Sequence, residues 1–365
     1  MAERGNKKNR IVDKYVGIPL TVPAALFRRL DRPRRDGRME TAAIICLGAI
    51  GDLLLTSGLI NALNSKGLAV DLYTSMANAN AAALLCGVRK SASYPLSKIP
   101  LMIRELRNNR YDLLIDTTQW ARVGAIVSAF SKAGTTVGFC TKGEYRSLPY
   151  DLTADRLTLR HESENFMALA RTAFPDAKGE LDLNIPELTG KIQQTLPERK
   201  YVVCHMWAQG SYSAERQWPS EKWAALAEKF DNLGFDTVFT GSSADTASTG
   251  AFFAEYLTGK NYAHNFSGKI NLLELAAVLK ESVAVVSVNT GVMHMAALTG
   301  APTAGLHGPT NPVHWGPVGK NAAAVCHKGI ERYADLGSAK VVDPATYTCH
   351  VDVDEVLDAI RSLMN

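Results

Sequence analysis

The chain has 365 residues, 46% of them hydrophobic and 21% charged. That composition belongs to an ordinary globular protein and excludes wholesale disorder, a collagen and a coiled coil; the length favours two domains. Net charge is +4, unevenly spread: residues 1–40 carry 11 basic and 5 acidic side chains, the remainder 29 basic and 31 acidic. This excludes a globally basic nucleic-acid binder and describes a near-neutral body with a basic arm.

In chain order, the arm comes first. Residues 1–40 form a basic amphipathic segment whose only long apolar stretch is Tyr15–Leu30, YVGIPLTVPAALFRRL. Pro19 and Pro23 interrupt it and no small-residue cleavage site follows, which speaks against a signal peptide. Two readings remain open. It lies in a membrane interface, with Leu, Val and Phe inserted and Arg28 and Arg29 on head groups, or it packs on the protein's own surface. No apolar run spans a bilayer.

From residue 41, β-branched runs alternate with helical stretches. Thr41–Leu47, Leu68–Thr74, Tyr111–Thr117 and Thr135–Phe139 read as strands. Helices are expected over Asp52–Ser65, near 76–86 and 97–109, and over 161–174. Residues 41–185 are thus one βαβ domain with a parallel sheet. Residues 186–199, bracketed by Pro186 and Pro197, read as a linker. The rhythm restarts over residues 200–350. Strands are expected at Tyr201–His205, Phe235–Thr240, Val283–Val288 and Pro302–His307, and helices from Ser220, over Leu272–Glu281 and from Thr290. An amphipathic helix closes the chain within 351–365. The fold class is α/β, with two doubly wound Rossmann-like domains, which suggests a ligand in a cleft at the carboxyl ends of the strands. The six cysteines are scattered without C-x-x-C spacing, as in a reducing cytoplasm.

Four stretches could carry chemistry. Gly48-Ala49-Ile50-Gly51-Asp52 follows the first strand; its glycines allow a tight turn, and Asp52 is either a reactive carboxylate or an ordinary helix cap. GxGxxG is absent, so a dinucleotide site is not supported. The loop His205–Pro219 is rich in hydroxyls, including Ser211 and Ser213, and carries Arg216, a combination suited to phosphate; Trp218-Pro219 also reads as a plain helix start. Asn289-Thr290-Gly291-Val292-Met293-His294 crosses from a strand into a helix, where exposed N–H groups favour an anion; taken alone, His294 reads as a core or capping residue. Gly308–Pro317 is a Pro- and Gly-rich loop at another strand end. Asp352-Val353-Asp354 has the D-x-D spacing of a divalent-ion site, but it opens the last helix, where acidic caps are usual.

In combination, Gly-x-x-Gly-Asp, Arg-x-Trp-Pro, Asn-Thr-Gly-x-Met-His and Gly-Pro-Thr-x-Pro-x-x-Trp-Gly-Pro closely resemble glycosyltransferase family 9, the ADP-heptose:lipopolysaccharide heptosyltransferases and their relatives, from about residue 42 to the C-terminus. The resemblance implies a GT-B fold, an acceptor bound by the first domain and an ADP-sugar bound by the second. It implies an inverting transfer that needs no cofactor and no metal, onto a lipopolysaccharide core or related glycolipid. Asp52 would be the general base. Arg216 would steady the leaving diphosphate, Thr290 and Gly291 would donate backbone N–H groups to it with His294 nearby, and Ser211, Ser213 and Asp245 fall where relatives contact phosphate or ribose. Many relatives have Asp at the position of Asn289; if that residue tunes the sugar contact, the donor differs from the usual ADP-L-glycero-D-manno-heptose. The arm suits an enzyme that meets a membrane-embedded acceptor on the cytoplasmic face of the inner membrane. A nucleotide-sugar epimerase and a non-catalytic nucleotide-sugar-binding protein are the alternatives.

Overall fold

The computed structural model describes residues 13–33, 37–119, 121–141, 144–210, 212–327, 333 and 344–364. The chain divides into two compact units, Met1–Asn184 and Ile185–Asn365, each built on a six-stranded parallel sheet.

In the first unit the strands are β1 (Thr41–Cys46), β2 (Ala69–Ser75), β3 (Val88–Tyr94), β4 (Leu113–Asp116), β5 (Thr135–Cys140) and β6 (Leu152–Asp155), in the spatial order β3-β2-β1-β4-β5-β6. In the second they are β7 (Tyr201–His205), β8 (Asp236–Thr240), β9 (Ala263–Asn265), β10 (Ala284–Val288), β11 (Thr303–His307) and β12 (Ala322–Cys326), ordered β12-β11-β10-β7-β8-β9. Both sheets are therefore doubly wound in the same way. The winding reverses between β1 and β4 in one and between β7 and β10 in the other, and ligands of such sheets bind at the carboxyl ends of those strands. The central strands are apolar because helices cover both faces: β7 and β10 are buried along their whole length, and β1 along all but its first residue. The core of the second unit gathers Trp218, Trp223, Phe230 and Phe239 around Val202 and Val286. In the first, Ile45, Tyr73, Met102, Leu106 and Leu114 pack together.

The helix expected over Asp52–Ser65 is two helices, Ile50–Leu54 and Ser57–Ser65. They part where the Thr56 hydroxyl turns back onto the Leu53 carbonyl at 2.6 Å, a local bond that competes with the helical ladder. Residues 186–199 contain the short helix Gly190–Thr195. All six cysteines are free. Among the described residues no helix is long and apolar enough to cross a membrane.

The described part of the arm is a helix, Ile18–Asp31, preceded by a π-helical turn, Asp13–Gly17. It packs on the first unit through Thr21, Ala24, Ala25 and Arg28. Arg28 is 2% exposed and donates to the Ala133 carbonyl at 2.6 Å and to Asp151 at 2.5 Å. Asp13 pairs with Arg122. Of the two open readings, Arg28 follows the second, packed on the protein itself: its charge is neutralised by Asp151, and breaking such a buried pair costs about 3–5 kcal/mol. Phe27, expected to insert into lipid, stacks on Phe130 with ring centroids 4.5 Å apart.

Candidate functional site

In the first unit the polar groups lie after β1 and β4, the two strands at the winding reversal. The turn Leu47–Ala49 leads into the helix Ile50–Leu54. Asp52, in the first turn, folds back so that its Oδ2 accepts from the Ala49 N–H at 2.9 Å. Gly48 makes this possible: a Cβ there would stand 2.4 Å from Oδ2 and 2.9 Å from the Asp52 Cβ, closer than real contacts allow. Gly51 is the second residue of the same helix and is buried. The other carboxylate oxygen, Oδ1, accepts from the Gln119 amide at 3.0 Å. Asp52 is only 6% exposed. Its ion does double duty as a helix-start cap and as an acceptor aligned from two sides. It also bears on Cys46: burial first, then the negative charge of Asp52, pushes that thiol up to about 12, so Cys46 stays uncharged beside it.

Gln119 carried no signal of its own in the sequence. It ends a polar run, Asp116-Thr117-Thr118-Gln119, at the carboxyl end of β4, and that position was the available hint. The run is rigidly held. Asp116 accepts from the Thr118 N–H at 2.8 Å and from the Tyr150 hydroxyl, while Arg146 pairs with Asp116 and donates to the Thr118 carbonyl. Burial pushes the Asp116 carboxyl above its usual range, against the pull of Arg146. Gly124 allows the close approach, since a Cβ there would meet Asp116 oxygens at 2.2 and 2.5 Å.

In the second unit the same logic recurs after β7 and β10. Arg216 closes the short helix Ser213–Arg216, whose entry residue Tyr212 takes φ 56°, a strained left-handed conformation for a bulky side chain. The guanidinium is committed to carbonyl oxygens: Nη1 donates to Asn289 at 2.6 Å, Nη2 to Gln209, and Nε to Tyr212 at 3.4 Å. Its charge is thus fixed against the end of β10. There Thr290 precedes the helix Gly291–Thr299 without capping it by its side chain. The Thr290 hydroxyl is buried and finds no partner among the described residues. An uncapped helix start, an orphan hydroxyl and a nearby guanidinium are together an arrangement suited to an anion. His294 is buried in the same helix, on its first turns.

Asn289 links two elements at this end of the sheet. Its side-chain amide donates to the Thr310 hydroxyl at 2.6 Å, tying the end of β10 to the loop after β11. Asp245 accepts from the Ser242 N–H and hydroxyl at 2.8 and 2.6 Å, and receives the Gln209 amide at 3.4 Å, so it borders the Arg216 loop from the end of β8. Ser213 begins the helix that ends in Arg216; Ser211 lies outside the described residues. Trp218 is structural: it stacks edge-on against Trp223 at 5.0 Å and donates to the Val351 carbonyl at 2.8 Å. Asp352 and Asp354 are paired with Lys222 and Lys229, in keeping with their place at a helix start.

Residues 101–345 match the family model of glycosyltransferase family 9 (heptosyltransferase). Lipooligosaccharide heptosyltransferase 2 of Haemophilus influenzae is 29% identical over 116 residues, 31% of this chain and 33% of that protein. Lipopolysaccharide heptosyltransferase 2 of Escherichia coli K12 is 25% identical over 237 residues, 60% of this chain and 66% of that protein. The matched stretches thus span between a third and just under two thirds of these curated relatives. The structure of E. coli ADP-heptose LPS heptosyltransferase II superposes with a TM-score of 0.73 at 20% identity, covering 89% of this chain and 98% of that one. That likeness establishes the GT-B fold.

Proposed function

This chain belongs to glycosyltransferase family 9, and from that premise we propose that it transfers a heptose, or a closely related sugar, from an ADP-sugar to a lipopolysaccharide core or related glycolipid, with inversion and without a metal. Asp52 is the general base. It takes the proton of the acceptor hydroxyl as that oxygen bonds to the anomeric carbon; the bond from that carbon to the diphosphate breaks on the opposite face, and its electron pair leaves with ADP. Arg216 and the start of helix Gly291–Thr299 bind the diphosphate and steady the charge that grows there, with His294, Ser211, Ser213 and Asp245 around the nucleotide. The positive charge they supply replaces a divalent ion. The enzyme works at the cytoplasmic leaflet where its acceptor is anchored, with the N-terminal arm toward the membrane and no nucleic-acid partner.

The observation that carries this reading is Asp52. A carboxylate almost wholly covered, with one oxygen on Ala49 N–H and the other on Gln119, is preorganised to accept a proton along a set direction. A cap alone needs only the first of these bonds. Mass spectrometry of the glycolipid from a strain lacking this protein tests the proposal: a core shortened by one heptose supports it, and an unaltered core contradicts it. Turnover of the ADP-sugar with no acceptor present would favour an epimerase instead.

A further inference from the structure

Helices that pack on a protein normally bury their apolar stripe and show a polar one. Helix Ile18–Asp31 does the reverse. Its docked side is Thr21, Ala24, Ala25 and the neutralised Arg28. Its outer side holds Leu20, Val22, Leu26 and Leu30, which are 46%, 60%, 59% and 80% exposed. Val22, Leu26 and Leu30 follow one another at four-residue steps and so form a single row. Small residues and ion pairs hold the helix down at Asp13–Arg122, Arg28–Asp151 and Arg107–Asp31, which fixes the apolar row outward.

We propose that this outward row is a membrane-docking surface, inserted among the acyl chains of an anionic bilayer with the exposed Arg29 toward the head groups. The occupant follows from charge. Residues 1–40 carry a net +6, and the side chains around the row include exposed Arg29, while Arg32 is paired with Asp151. An anionic lipid surface complements that charge, whereas a second copy would bring two such arms together against their repulsion. Leucine insertion supplies affinity and Arg29 supplies preference for anionic lipid. This rests on the reading of the chain as an enzyme acting on a membrane glycolipid, and it assigns that role to a particular face.

Sedimentation of the full chain with phosphatidylcholine vesicles, with and without phosphatidylglycerol, tests it. The chain should bind the anionic vesicles, and the double variant Leu26→Glu/Leu30→Glu, altered only at exposed positions, should bind them about 100-fold more weakly. Transfer to a water-soluble acceptor analogue should be the same for both. Equal vesicle binding by the variant overturns the proposal, as does a native chain that ignores anionic vesicles, or a native dimer that the variant converts to a monomer. Failure of the native chain to transfer to the soluble analogue would count against the enzymatic reading and leave the vesicle result standing.

Discussion

The Arg216 guanidinium is held in place by main-chain carbonyls. Three carbonyl oxygens, from Gln209, Tyr212 and Asn289, fix the guanidinium, and only a planar fork reaches several acceptors at once. Arg216→Gln should therefore lower kcat/KM for the ADP-sugar about 100-fold, in line with the loss of one preorganised charge at a leaving group. Arg216→Lys should recover only part of this, since an ammonium keeps the charge but not the fork. Steady-state kinetics decide: full activity in the lysine variant would reduce Arg216 to a point charge. What could be read of these residues from the sequence alone was uneven. Asp52 and Arg216 stood out because each sits on a strand-to-helix connection in a recognisable spacing. Gln119 did not, because its partner Asp52 lies 67 residues earlier in the chain and no local pattern encodes a pairing of that range. Arg28 was left between two readings for the same reason: beside Arg29 it looks like a head-group ligand, and only the fold brings it to Asp151, 123 residues away.

Two elements near the site, the turn after β1 and the helix after β4, are shaped by a close approach that a glycine permits. The β1 turn is the clearest case. Gly48→Ala would place a Cβ 2.4 Å from Asp52 Oδ2, so the carboxylate must swing off Ala49 and away from Gln119. The variant should lose about 1–3 kcal/mol of stability and at least tenfold in kcat, while nucleotide-sugar binding, which we propose for the second unit, should persist. A thermal melt with kinetics and calorimetry on the same sample checks this; unchanged kcat would mean that the orientation of Asp52 is unimportant. The central strands were legible as elements because parallel strands buried on both faces are continuous apolar runs: β7 and the helix Leu272–Glu281 have the expected limits. The edges were not. β3, VRKSASY, is largely exposed and carries the charges that protect a sheet edge from pairing further, so it has no apolar signature. Nor did the sequence reveal the break at Thr56, which depends on one hydroxyl choosing a carbonyl.

At the scale of the whole molecule, the function proposed above assigns different duties to two sheets with identical winding: a base to the first unit and an anion site to the second. The charge divides as well, with a −2 body and a +6 arm, so the proposed binding of an anionic donor would depend on local groups rather than on net attraction. Acid stability follows from burial in the second unit. His205, at the end of β7 and bonded to Thr240 at 3.0 Å, is lowered to about 4 by burial. Its folded pKa lies below the unfolded 6.5, so the unfolded chain takes up the proton first. Stability from this group is complete above about pH 6.5 and is lost as pH falls toward 4, by about 2 kcal/mol at pH 5. Denaturant unfolding across that range should show a shallower loss for His205→Asn than for the native chain; equal slopes would contradict the assignment.

The most direct test of the account is a transfer assay with the purified chain, ADP-heptose and a core-truncated glycolipid, in excess EDTA, read by mass spectrometry of the lipid. The native chain should add one heptose and release ADP, and Asp52→Asn should add none while binding ADP-heptose with unchanged Kd. Transfer by Asp52→Asn at the native rate, or a strict need for a divalent ion, would contradict it.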